Sequence, residues 1–266
     1  MKGTSGRPQE PRRAGEPGFT LIELMIVIAI IAILASIAIP NLMAAKLSAN
    51  ETSAIATMRN LGSAQAMVQG AGRIDVDNDA IGEYGTFLEL AGRVKVRKGV
   101  VNSTPTGADF STDGTEIRPA IVSPSLGFVD SNGFVSKAGY LLMILLPDTS
   151  DPALWVHELN SGTMDAPVAG LSNTGQNGGG TGKIGIDLAE TIWCCYAIPA
   201  NKGNSGNRVF FTCQTGDILQ SYNDKANHTG NSKPVDGRSA FLGDNITSRL
   251  AVGTEARDKD VWKITN

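Results

Sequence analysis

Histidine and cysteine are scarce, two and three residues in a chain of 266. That is too few for a multi-ligand zinc array. Charge is thin as well: Asp, Glu, Lys and Arg make up 18% of the chain, and the formal net charge of -3 leaves no basic excess. Nucleic acid is therefore not the default partner, and no basic, aromatic-flanked strip suggests otherwise. Catalytic signatures are missing too. No G-x-S-x-G occurs, and His157-Glu158 is followed at position 161 by serine, where a zinc-protease helix needs a second histidine. Around Gly182-Lys183 a phosphate loop would need glycine and Ser/Thr, but Asn177 and Ile184 stand there. Gly180, Gly182 and Gly185 fit a dinucleotide pattern only inside a glycine-rich stretch with no strand before it. No internal repeat is visible. No enzyme is expected, and the 41% hydrophobic content excludes disorder throughout.

What is present begins at the amino terminus. Residues 1–18 carry Lys2, Arg7, Arg12 and Arg13 against Glu10 and Glu16, and three prolines and four glycines forbid a stable helix. From Phe19 to Ile39 the chain turns apolar, broken only by Thr20, Glu23 and Ser36. Twenty-one helical residues reach roughly 31 Å, about one hydrocarbon core. A basic flank ahead of such a span predicts a cytoplasmic amino terminus. The run is too long for an ordinary secretory signal, and a plain anchor does not account for Glu23. A carboxylate in an apolar bundle needs a positive partner.

The string GFTLIELMIVIAIIAILASIAIPN, residues 18–41, resembles the amino-terminal signature of type IV pilins and type II secretion pseudopilins. The resemblance implies a leader, residues 1–18, cut by a prepilin peptidase between Gly18 and Phe19, with Phe19 then N-methylated. It also implies that Glu23 neutralises an amino-terminal amine, its own or a neighbouring subunit's, as a registry device for assembly. Pro40 ends the apolar run, and a kink or local melting is expected there; in the pilin family a proline at this place marks where the helix loosens during assembly.

Beyond Asn41 the pattern becomes amphipathic: Leu47, Ala54, Ile55, Met58, Leu61, Ala64 and Met67 recur at helical spacing, while Asn50, Glu51, Ser53, Arg59, Asn60 and Ser63 point elsewhere. Gly70 and Gly72 give a stop. The expected organisation is a helix over 19–72, with 19–39 as the transmembrane and assembly segment, and a head over 73–266. Short β-like runs at 94–96, 127–129, 140–146, 191–198, 209–213 and 217–220, with a closing strand at 260–264, complete an α+β fold: a long helix packed on an antiparallel sheet. Residues 160–185 read as a long surface loop, and 224–266 as scattered polar turns.

Two features of the head stay open. Asp75, Asp77, Asp79 and Glu83 form the only dense acidic cluster. An EF-hand is refused because Ala80 and Thr86 occupy its glycine and glutamate positions. A solvated acidic turn is favoured, with a calcium-stapled loop as the alternative; no other cofactor is implied. Cys195 and Cys213, with Cys194 able to take the place of Cys195, are candidates for a cross-strand disulfide in an exported head, against buried thiols as the simpler state.

The resemblance implies a structural subunit. A type II secretion pseudopilin is favoured, a type IV pilus subunit for motility, adhesion or DNA uptake is the runner-up, and a membrane-anchored binding module using a pilin-like export signal is the remaining class. Its implied partners are identical and related pilin-like subunits, the prepilin peptidase, an inner-membrane assembly platform and membrane lipid. Its implied locations are the inner membrane, single-pass, before assembly and a periplasmic pseudopilus or cell-surface filament after it.

Overall fold

A computed structural model describes residues 18–97, 114–149, 154–160, 169–172 and 183–265; the leader up to residue 17 lies outside them. The chain divides into two compact units between Ala44 and Ala45. Helix α1 runs Leu21–Gly70, and its first part is apolar on every side, so no face is marked out for a protein core. Helical structure continues through Pro40, so the expected melting is not seen there. Proline removes one rung of the hydrogen-bond ladder, and the neighbouring turns hold the helix together.

In the carboxy-terminal unit α1 buries Ala54, Met58, Leu61, Ala64 and Val68, a stripe at three- and four-residue steps. The stripe is rotated from the expected one: Met67 is 61% exposed, while Glu51 and Gln65 are buried. Both polar side chains are satisfied. Gln65 donates to Gly85 O at 2.7 Å and accepts from Gly85 N at 2.9 Å. Glu51 accepts from Arg208 Nε at 2.7 Å and from Asn207 N at 3.0 Å.

Among the described residues eight strands form one sheet: β1 (Val135–Lys137), β2 (Tyr140–Pro147), β3 (Trp155–Asn160), β4 (Ala169–Ser172), β5 (Cys194–Pro199), β6 (Val209–Cys213), β7 (Ile218–Ser221) and β8 (Lys263–Ile264). Their order is β4-β3-β2-β5-β6-β7-β8, with β1 paired to β2, and every pair is antiparallel. Two single-turn helices, α2 (Phe87–Leu90) and α3 (Ile186–Ala189), lie among the connections. The fold is α+β, a long amino-terminal helix with an antiparallel sheet, as in pilins.

Several boundaries differ from expectation. Residues 94–96 contribute only an isolated bridge, Lys95 to Glu116, and of 127–129 Gly127 ends a 3-10 turn at Pro124–Gly127 while Val129 makes a single bridge to Val135. The run at 191–198 becomes a strand only from Cys194, and the closing strand shrinks to two residues. Strands β1 and β3 were not anticipated, nor was β4, which sits inside the supposed loop of 160–185; the rest of that loop, apart from 160 and 183–185, lies outside the described residues.

The sheet is covered on both faces, which explains why YLLMILLP, CCYAIP and VFFTC read as unbroken apolar runs instead of alternating. Leu142, Ile144, Leu146, Cys195, Ala197 and Phe210 join the buried stripe of α1 in one cluster. Met143, Leu145, Cys194, Tyr196, Ile198, Val209, Phe211 and Cys213 join Val235, Ala240, Phe241, Ile246, Ala251 and Trp262 in another. The stretch read as polar turns is thus a layer of irregular chain over the second face, pinned by Tyr196, whose hydroxyl donates to Gly237 O at 2.9 Å and accepts from Ala240 N at 3.1 Å.

Candidate functional site: the amino-terminal assembly segment

Thr20 and Glu23 open α1 as a reciprocal cap. Thr20 N and Thr20 Oγ1 donate to Glu23 Oε2 at 2.8 and 2.7 Å, and Glu23 N donates to Thr20 Oγ1 at 3.3 Å. This is the T-x-x-E capping box, which satisfies backbone donors that the first turn leaves orphaned. The T-x-x-E spacing is the sequence signal for this cap. Glu23 is therefore held at the first turn of α1 by Thr20. Phe19 is 90% exposed, and a side chain added at Gly18 would meet nothing within 4 Å, so the linkage lies open.

The following turns have no cover. Leu21, Ile22, Ile33, Leu34, Ile37 and Leu42 are all more than 60% exposed. By length and apolar character this helix can cross a membrane.

The acidic cluster assembles differently from expectation. Asp75, Asp77 and Asp79 bring carboxylate oxygens within 4.8 Å of one another, and Asp77 does the same with Asp187 and Glu190 near α3. Asn78 and Ala80 adopt left-handed backbone, turning the loop back on itself. Asp187 and Glu190 carried no sequence signal, because only the fold brings α3 to this loop. Burial, then the charges of Asp79 and Asp77, pushes the Glu190 carboxyl above its ordinary range. Carboxylate oxygens alone suit a hard cation such as calcium. Glu83 does not belong to the cluster: it is fully buried and accepts from Val76 N at 2.8 Å, because the chain after the loop dives into the core. Desolvation pushes its pKa up to about 7.

Other buried ionisable groups serve the fold. Glu158 accepts from Phe87 N at 2.8 Å and Leu88 N at 3.0 Å, capping α2, while burial pushes its carboxyl up to about 7. Glu89 and Arg97 form an ion pair at 3.0 Å with no exposure on either side chain. His157, next to Glu158 in β3 and buried, is held down to about 4 by desolvation. Neither it nor Glu158 touches a cation cluster among the described residues. All three cysteines are free and buried. Of the two pairings left open, the register sets Cys194 opposite Cys213, while Cys195 sits opposite Thr212. Adjacent strand residues point to opposite faces, so Cys195 cannot reach Cys213.

With this geometry in place, comparison with known proteins is informative. A family model described as a prokaryotic N-terminal methylation motif matches residues 13–39, a window that holds Gly18, Phe19 and Glu23. The chain is also 42% identical over 94 residues to the type IV wide pilus major component PilA4 of Thermus thermophilus. The amino-terminal segment is thus similar to that of type IV pilins. The match covers 35% of the chain and 61% of that relative, so the chain spans less than two thirds of the length of the curated relative it matches. No solved structure matches the chain. Pilins are structural subunits and not enzymes. Apolar helix and motif together point to membrane anchoring and a pilus-type filament.

Proposed function

We propose that the chain is a structural subunit of a type IV pilus, cleaved between Gly18 and Phe19, methylated at Phe19 and polymerised through α1. The observation that carries this reading is the uncovered apolar surface from Leu21 to Met43 standing directly behind the capped Glu23. Burying such surface contributes about 0.8 kcal/mol per methylene relative to water. Lipid competes for the same groups, so helix packing and a Glu23–amine pair must supply the net gain. In the filament Glu23 would exchange its Thr20 contacts for the methylated amine of the adjoining subunit. Before assembly the subunit would span the inner membrane with a cytoplasmic amino terminus, served by the prepilin peptidase and the assembly platform. Pro40 would be the place where α1 loosens on docking.

Similarity to a pilus component supports the pilus version. A type II secretion pseudopilus is the second reading, favoured by the acidic loop that follows α1. Mass spectrometry of protein recovered from membranes should find a chain starting at methylated Phe19, and a retained leader would refute the proposal. Imaging surface appendages in a deletion strain while assaying exported proteins separates the two versions. Loss of appendages with export intact supports the pilus, and the opposite pattern supports the pseudopilus.

A further inference from the structure

Strands β5 and β6 set Cys194 and Cys213 directly opposite one another. Both belong to the cluster under the irregular carboxy-terminal layer, whereas Cys195 belongs to the cluster beside α1. Cys213 O accepts from Gly216 N at 3.0 Å in the turn to β7. The amide and carbonyl of one strand residue point to the same side, so those of Cys213 face β7 and away from β5. Cys194 and Cys213 are therefore a non-hydrogen-bonded pair, in which Cα atoms approach to about 4.5 Å and side chains stand closest. A disulfide accepts Cα separations of about 4.4–6.8 Å.

We propose that Cys194 and Cys213 form a cross-strand disulfide in the exported head while Cys195 remains a thiol. The proposal rests on the export that the filament reading requires, since a compartment that oxidises thiols is needed. The oxidant is a dithiol oxidoreductase in its disulfide form, or oxidised glutathione. Cys213 lines a cavity of about 400 Å³ together with Thr215, Phe241, Ile246 and Leu250. Its Sγ lies 3.4 Å from Thr215 Oγ1. The oxidant's disulfide is attacked from this side by the Cys213 thiolate, which forms a mixed disulfide and releases one thiol. Cys194 thiolate then attacks Cys213 Sγ, closing the bridge and releasing the second thiol. Two protein thiols lose two protons and two electrons, and one oxidant disulfide becomes two thiols. Burial pushes both thiols above their ordinary range, so thiolate is rare in the finished fold and the bridge closes fastest while the head is still folding.

The test uses the full chain, purified in detergent without reductant, denatured, blocked with N-ethylmaleimide and weighed intact. One adduct is expected before reduction and three after it, with a peptide pair joining Cys194 to Cys213. Three adducts on a chain that begins at Phe19 would overturn the bridge and leave the filament reading standing. An untrimmed chain is equilibrated with reduced and oxidised glutathione; failure to lose two thiols there overturns the bridge independently of export. Cys195→Ser should give no adduct before reduction. Two adducts from that variant would also sink the proposal.

Discussion

Arg208 grips Glu51 across 157 positions of sequence, with Nε 2.7 Å and Nη2 2.6 Å from Glu51 Oε2. The pair ties α1 to the start of β6, and the backbone amides of Asn207 and Arg208 complete the carboxylate's shell on Oε1. Burial opposes the charge on Glu51, but the guanidinium and these donors outweigh it and hold the pKa below the usual value.

Replacing Arg208 with Ala should cost about 2 kcal/mol, less than for a fully buried pair because Arg208 is partly exposed. Since the folded pKa is depressed, the pair's contribution is present above the ordinary carboxylate pKa and lost as pH falls through the folded value. Thermal melts of wild type and R208A should therefore converge in acid. A gap that stays constant down to the acid limit would contradict the assignment.

Glu83 titrates in the opposite sense. Its folded pKa of about 7 lies above the ordinary 4.5, so the folded state retains a proton that the unfolded chain has released. Stability should fall as pH rises through that window. Glu83→Gln keeps an acceptor for Val76 N and removes the charge. It should flatten the dependence and add on the order of 2 kcal/mol above pH 7. Glu158→Gln should instead destabilise by about 2 kcal/mol, because both carboxylate oxygens accept backbone amides and an NH2 would face one of them. Urea titrations at pH 5 and pH 8 distinguish the two variants.

The β1–β2 hairpin turns on Ala138 and Gly139, both with positive φ, 48° and 75°. Such a two-residue turn favours Asn-Gly, and alanine is poorly suited to its first position. Ala138 is exposed. Ala138→Asn should stabilise by about 0.5–1 kcal/mol, raising Tm by roughly 2–4 °C. No rise, or a fall, would show that the turn is not of this type.

Asp75, Asp77 and Asp79 form one carboxylate group and Asp77, Asp187 and Glu190 a second, and calcium titration tests whether either holds the ion. A millimolar concentration should raise the head's Tm by about 2–5 °C, with chelator reversing it. Asp77→Asn should abolish the increment, since Asp77 belongs to both carboxylate groups. An unchanged midpoint would leave the loop a solvated acidic turn.

Much of this was legible from residues alone. The apolar run after Gly18 announces the helix, and TIWCCYAIP with VFFTCQTGDIL announces the β5–β6 hairpin. Strand β3 escaped notice because WVHELN mixes three buried polar side chains into a short run, and burial on both faces erases the alternation that marks a strand. Likewise Glu51 looked solvent-facing on polarity, yet its partner Arg208 is supplied only by the fold, as Gly85 is for Gln65. Asp187 joins Asp77 for the same reason. Local pattern carries local structure, and distant polar partnerships leave no period to detect.

The layer from Val235 to Trp262 has almost no regular structure, yet it shields Phe211, Tyr196 and Leu219 from water. A premature stop after Ser221 would leave every strand but the two-residue β8 intact and strip one side of the slab bare. Such a product would keep the machinery for insertion and docking while displaying a greasy sheet to its neighbours. Late nonsense changes should therefore poison assembly by clumping, and be harsher on the cell than deleting the gene outright.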